Sequence, residues 1–266
     1  MMRLIQFGCG NMGGAMLHGW LAAGMDPAGF TVVDPFLANP PAGITHLQAP
    51  PAHGAFDVVL LGFKPQQLAE AAPAITPLVG EGTLLLSILA GVDLATLRHH
   101  FPRARATVRV MPNLAAALGK SPIGLVGDAD EDGRAQVDVL MVPLGQAEWL
   151  SGEDQMDLIT ALAGSGPAFV YRVIDSLAAG AAALGLPRDQ ADRLALSMVE
   201  GAAALAAASP NSPGELADRV ASPGGTTRAG LNVLDADGRV AALMEDTLRA
   251  ARDRSVEMTA EARAKG

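Results

Sequence analysis

The stretch Leu4-Ile5-Gln6-Phe7-Gly8-Cys9-Gly10-Asn11-Met12-Gly13 decides how this chain folds. Its first four residues read as a short strand, and a helix is expected from the glycines to about Ala23. Between them stands Gly-x-Gly-x-x-Gly. Gly8 permits a tight turn, Gly10 lets backbone approach an anion, and Gly13 lets the helix pack on the strand. The free N–H groups of the helix's first turn then face that anion. The pattern alone also fits a plain strand–helix turn with no ligand. Here it has the setting of a dinucleotide site. It follows a strand, opens a helix, and has an acid, Asp34, about 20 residues further on. Gly8, Cys9, Gly10, Asn11, Met12 and Gly13 are therefore candidate cofactor residues.

Phe30 to Val33 is the second strand and ends at Asp34. A carboxylate there can accept bonds from both adenosine ribose hydroxyls and repels a 2′-phosphate. No Lys or Arg follows until Lys64, so NADH is favoured over NADPH. The alternative for Asp34 is a solvent-facing turn residue before Pro35. A Pro-rich loop comes next. Asp57 to Gly62 is a continuous apolar run, as expected of a strand buried on both faces, and Pro65 suits the first turn of a helix. Leu84 to Ile88 and Ala106 to Val110 are further strands, with weaker ones at Gly124–Val126 and Ala147–Leu150. Alternation of this kind predicts an α/β fold, a doubly wound, mostly parallel sheet. Ligands in such sheets sit beyond the C-terminal strand ends. That makes Gly62, Phe63, Lys64 and Pro65, then Ile88, Leu89 and Ala90, candidates to line a cofactor. Asn113 either bonds a carboxamide or caps a turn.

After Leu150 the strand signals stop. Residues 154–208 are rich in Ala and Leu at helical spacing, Gly164 to Pro167 breaks one helix and starts another, and a long amphipathic helix begins near Val240. Two domains are expected, 1–151 for the dinucleotide and 152–266 all-helical. Small side chains let the helices approach closely, and faces of this kind often pack on a second subunit. Within this half lies Val220-Ala221-Ser222-Pro223-Gly224-Gly225-Thr226-Thr227-Arg228. It offers N–H groups and the two Thr hydroxyls at a helix entry, so it reads either as a carboxylate site or as an ordinary interhelical turn.

Composition narrows the function. A net charge of −9 over 266 residues argues against nucleic acid as partner. One cysteine permits no disulfide within the chain, and the five histidines lack metal-binding spacing, so no metal site is expected. The start has no signal-peptide pattern and no run suits a membrane span, so a soluble, cytoplasmic protein is expected.

Together, GCGNMGGAM, LGFKPQQL, SILAGV, VRVMPN, TALAGSGPAFVY and VASPGGTTRAGL closely resemble the Δ1-pyrroline-5-carboxylate reductase family, in the family's order from residue 5 to about 258. The resemblance implies an N-terminal Rossmann domain and a C-terminal helical dimerisation domain. Family members are dimers that often assemble further, commonly into decamers. It implies hydride transfer from NADH or NADPH to the C=N carbon of pyrroline-5-carboxylate, giving L-proline. It implies that Ser222, Gly224, Gly225, Thr226 and Thr227 hold the substrate carboxylate, with Thr227 as the catalytic contact to the ring nitrogen. Glu153 matches a family carboxylate near the active site, which makes it a further candidate to bind the substrate.

The chain departs from the family at Leu114-Ala115, where Thr-Pro is common, at Asp34, at Arg219 and at Arg228, where an aliphatic residue is common. Two alternatives stay open. One is a related imine or hydroxyacid reductase with a different substrate. The other is a non-catalytic NAD(H)-binding regulator, against which the intact Ser-Pro-Gly-Gly-Thr-Thr segment argues.

Overall fold

Eight strands form one sheet in the order β3-β2-β1-β4-β5-β6-β7-β8. They are β1 (Leu4–Phe7), β2 (Phe30–Val33), β3 (Thr45–Leu47), β4 (Val58–Leu61), β5 (Leu84–Ser87), β6 (Ala106–Met111), β7 (Ser121–Gly127) and β8 (Gly145–Trp149). This computed structural model describes residues 2–265, with side chains as far as Glu261. All neighbours run parallel except β6 and β7. The connection from β6 to β7 is one short 3-10 turn, Leu114–Leu118. It is too short for the crossover a parallel pair needs. The order from β3 to β6 is the doubly wound arrangement, which reverses between β1 and β4.

Helices α1 (Asn11–Ala22), α2 (Leu68–Ile75), α3 (Leu94–His100) and α4 (Glu131–Met141) cover both faces. Strand residues alternate between two cores. Leu4, Val58, Leu60, Leu84 and Leu86 pack with Met16, Leu17 and Trp20 of α1 and Leu140 of α4. Ile5, Val59, Leu61 and Leu85 pack with Leu68 and Ile75 of α2 and Leu97 of α3. This two-sided burial is why β4 and β5 are apolar throughout. Trp20 stacks on Phe30 with centroids 5.5 Å apart, and its indole N–H donates to the Leu140 carbonyl at 2.6 Å.

The described residues form two compact units, 2–164 with 251–265, and Ser165–Ala250. The longer segment of the first ends in α5 (Met156–Ile159) and a π-helical stretch, Thr160–Gly164. The second contains α6 (Gly166–Ala183), α7 (Arg188–Ala208), α8 (Pro213–Arg219), α9 (Thr226–Leu234) and the start of α10 (Arg239–Lys265). In this unit α6 and α7 bury little beyond Ala178, Ala191 and Ala195. Val170, Tyr171, Leu177, Leu194 and Leu205 stay exposed. An apolar surface of this extent marks a contact with another chain. Among the described residues no helix is long and apolar enough to cross a membrane, and no cluster of His, Cys, Asp or Glu could hold a metal ion.

Candidate active site

In the first unit, the candidate cofactor residues gather where the strand order reverses. Gly8 has φ +88°. A Cβ there would lie 2.7 Å from the Gly62 carbonyl carbon. No other residue type fits that conformation and that approach. The Gly62 N–H donates to the Phe7 carbonyl at 2.7 Å, and the Ile88 N–H to that of Leu61 at 3.0 Å. The ends of β1, β4 and β5 therefore meet with Gly8, Gly62 and Ile88 side by side. Gly10 caps α1 without any side-chain hydrogen bond, and a Cβ on it would meet nothing within 4 Å. The first-turn N–H groups of Asn11 and Met12 thus stand at an open position, which fits a pyrophosphate. Gly13 is buried against β1.

Asp34 joins this group. Its Oδ2 accepts from the Cys9 N–H at 2.6 Å and its Oδ1 from the Phe36 N–H at 2.8 Å. Two bonds fix the carboxylate, and each oxygen keeps a further lone pair for a ligand hydroxyl. Cys9 is half-buried; burial pushes its thiol up from the ordinary value, and the Asp34 carboxylate adds to that. Lys64 is exposed and leads into the 3-10 turn Pro65–Gln67, its N–H donating to Gln67 Oε1 at 3.2 Å. Phe63 is half-buried beside it. After β5, Leu89 is buried and Ala90 exposed.

Asn113 and Glu153 have other partners. Asn113 Nδ2 donates to the Ala163 carbonyl at 2.9 Å, and its Oδ1 accepts from the Ala115 N–H at 2.9 Å. It caps the turn after β6 and ties it to the π-helical stretch. Glu153 Oε1 accepts from Arg109 Nη1 at 2.7 Å and from the Leu94 N–H at 2.8 Å. The Arg109 side chain is only 8% exposed, that of Glu153 32%. Glu153 thus braces β6 against the first turn of α3.

In the second unit, the Ser222 carbonyl accepts from the Gly225 N–H at 2.9 Å. Pro223 and Gly224 occupy the turn's centre, and Gly224 has φ +73°. This is the Pro-Gly pattern of a type II turn. Gly225 then caps α9 with no side-chain bond, leaving the first-turn N–H groups of Thr226 and Thr227 without one. Ser222, Thr226 and Thr227 are exposed. Such a turn, followed by an uncapped helix start, can receive a carboxylate.

Gln6, Arg109 and Asp218 carry contacts that motif reading passed over. For Gln6 and Arg109 the one signal available was a polar or charged residue inside an otherwise apolar strand; Asp218, in a mixed polar helix, carried none.

Residues 153–258 match the family model for pyrroline-5-carboxylate reductase dimerisation. A pyrroline-5-carboxylate reductase of Pseudomonas aeruginosa is 34% identical over 96% of this chain and 96% of its own length. The solved pyrroline-5-carboxylate reductase of Coxiella burnetii superposes with a TM-score of 0.90 at 30% identity, covering 97% of this chain and 98% of that one. The Plasmodium falciparum pyrroline carboxylate reductase, solved with NADP bound, shares the fold with a TM-score of 0.79 at 24% identity, covering 97% and 98%. Similarity of this extent, end to end and in both units, places the chain in the pyrroline-5-carboxylate reductase family.

Proposed function

We propose that this protein reduces 1-pyrroline-5-carboxylate to L-proline with a reduced nicotinamide dinucleotide. The observation that carries this reading is the 34% identity to the Pseudomonas aeruginosa reductase across 96% of both chains. The dinucleotide supplies the hydride. The imine carbon receives it, and the ring nitrogen ends as a secondary amine. A protonated imine is already electrophilic, so the protein's task is to hold two partners in register and keep water out.

Gly8 to Gly13 receive the pyrophosphate, and Gly62 to Pro65 with Ile88 to Ala90 line the rest of the cofactor. Asp34, held by two backbone N–H groups, offers its free lone pairs to the adenosine ribose and makes NADH the better donor. Ser222 to Thr227 hold the substrate carboxylate, and the Thr227 hydroxyl bonds the ring nitrogen. Glu153 and Asn113 serve the site by holding its frame. The helical domain from residue 152 pairs two copies through the exposed apolar faces of α6 and α7, as the poverty of its own core supports.

The test is oxidation of NADH and of NADPH by the purified protein with pyrroline-5-carboxylate. Turnover is expected with both, with higher kcat/KM for NADH. No turnover with either, from a folded protein, overturns the proposal. A clear preference for NADPH overturns the role given to Asp34. Light scattering should give a mass at least twice the 27.2 kDa of one chain.

A further inference from the structure

Gln6 is the polar exception in an apolar strand. It lies in β1 between Val32 of β2 and Leu60 of β4, and it is fully buried. Its Nε2 donates to the Gly8 carbonyl at 2.8 Å. Its Oε1 is a buried acceptor with no partner, the one side-chain atom of that kind among the described residues. Turning the amide over would not help, because Oε1 would then face the Gly8 oxygen. A strand interior has no need of such a group, and leaving an acceptor unpaired lowers stability. The residue therefore calls for an explanation outside the core.

The Gly8 carbonyl and the Cys9 N–H belong to one peptide group. Gln6 holds the carbonyl end, and Asp34 holds the N–H end at 2.6 Å. The first peptide of the glycine loop is thus clamped at both ends by side chains from β1 and from the end of β2. The third glycine of the motif takes part as well: a Cβ on Gly13 would stand 2.6 Å from Gln6 Nε2. Any side chain there would push the amide off the Gly8 oxygen.

We propose that Gln6 is a positioning residue for the dinucleotide. By fixing the plane of the Gly8–Cys9 peptide, it sets the direction in which the next N–H groups point. Through the Cys9 N–H it also keeps the Asp34 carboxylate oriented towards the ribose. This rests on the reading of the glycine loop as a dinucleotide site. Its signature is a conflict between stability and affinity: removing the amide relieves an unpaired acceptor but frees the peptide.

The experiment compares the full-length protein with Gln6→Met, which keeps the length of the side chain without its polar atoms. Fluorescence titration with NADH and NADPH gives Kd, and calorimetry gives Tm. The expected result is a Kd raised about 5- to 20-fold with Tm unchanged or higher. Unchanged Kd overturns the proposal, and so does a weaker Kd accompanied by a lower Tm, since that marks Gln6 as merely structural. A second variant, Gln6→Glu, should bind less tightly as pH rises and the new carboxyl loses the proton it donates to the Gly8 oxygen. A flat profile parallel to the unsubstituted protein counts against the proposal. If the unsubstituted protein binds neither dinucleotide, the cofactor reading itself fails, and that outcome is distinct from a failure of the variants.

Discussion

Arg228 Nη2 lies 2.7 Å from Asp218 Oδ1, so an ion pair bridges the Ser222–Gly225 turn from α8 before it to α9 after it. Arg228 is in the first turn of α9, where the helix dipole disfavours a cation. Asp218 offsets that. It also cancels a positive charge close to the loop assigned to the substrate carboxylate. The two substitutions should therefore act in opposite directions. Asp218→Asn should lower KM for pyrroline-5-carboxylate about 2- to 5-fold at low salt, and Arg228→Ile should raise it similarly. Both effects should fade near 1 M salt, where the Debye length is only about 3 Å. Stability should move by less than about 1 kcal/mol, since Asp218 is exposed and Arg228 only partly buried. Steady-state kinetics at two ionic strengths decide the matter, and shifts of the same sign would refute the electrostatic account.

Thr227 is assigned the only protein hydroxyl contact to the reacting nitrogen. A bond that strengthens in the transition state appears in kcat and leaves cofactor binding alone. Thr227→Ala should reduce kcat about 10- to 100-fold, the worth of one such hydrogen bond, with NADH affinity within about 2-fold. Thr227→Ser should recover much of the loss. Unaltered turnover in the alanine variant would remove Thr227 from its role.

Glu153 makes the opposite kind of prediction. Because its Oε1 serves both Arg109 and the Leu94 N–H, its loss strands a buried guanidinium. Breaking a buried pair from one side costs about 3–5 kcal/mol, and partial exposure of Glu153 reduces that to roughly 2–3. Glu153→Ala should lower the Tm of the first unit by several degrees. Glu153→Gln keeps an acceptor for both donors but no counter-charge for Arg109, and should restore only part of it. If the alanine variant were as stable as the parent but had a greatly raised substrate KM, Glu153 would be a substrate ligand and not a brace.

How much of this was legible in the sequence follows from the range of each interaction. The strands β1, β2, β4, β5 and β6 announce themselves because burial on both faces demands apolar runs. The glycine loop does so because its steric needs are local. Strand β3 escapes: Thr45–Leu47 is three residues at the sheet's edge, with no apolar run to mark it. The π-helical Thr160–Gly164 has no periodicity of its own. The partners of Asp34, Asn113 and Glu153 lie 25, 50 and 44 residues away in Cys9, Ala163 and Arg109, and no spacing rule reaches that far. Nor could residue type alone divide carboxylates that face a ligand from those that brace the frame. Asp34 and Glu153 look equally free on paper. In the fold, the two donors that hold Asp34 are neutral backbone N–H groups, so its charge is left for a ligand, whereas the charge of Glu153 is spent on the buried Arg109 guanidinium.

Cys9 reports on the same corner of the molecule. Its thiol titrates above the ordinary cysteine range, first because of burial and second because of the Asp34 carboxylate. The thiolate is the nucleophile, so at neutral pH Cys9 should react slowly with iodoacetamide, and its rate should still be climbing at pH values where that of a free thiol has levelled off. Asp34→Asn removes the repulsion while keeping an oxygen for the Cys9 N–H. It should speed alkylation at pH 8 without bringing it to the rate of a free thiol, since burial is the larger cause. NADH bound over the glycine loop should slow it further. Mass spectrometry of timed alkylation, with and without NADH, reads all three effects on the chain's single cysteine. A Cys9 that reacts as fast as a free thiol at pH 7, or that NADH leaves unprotected, would mean that the loop is looser than its hydrogen bonds imply, and the assignment of Gly8 to Gly13 to the pyrophosphate would fall with it.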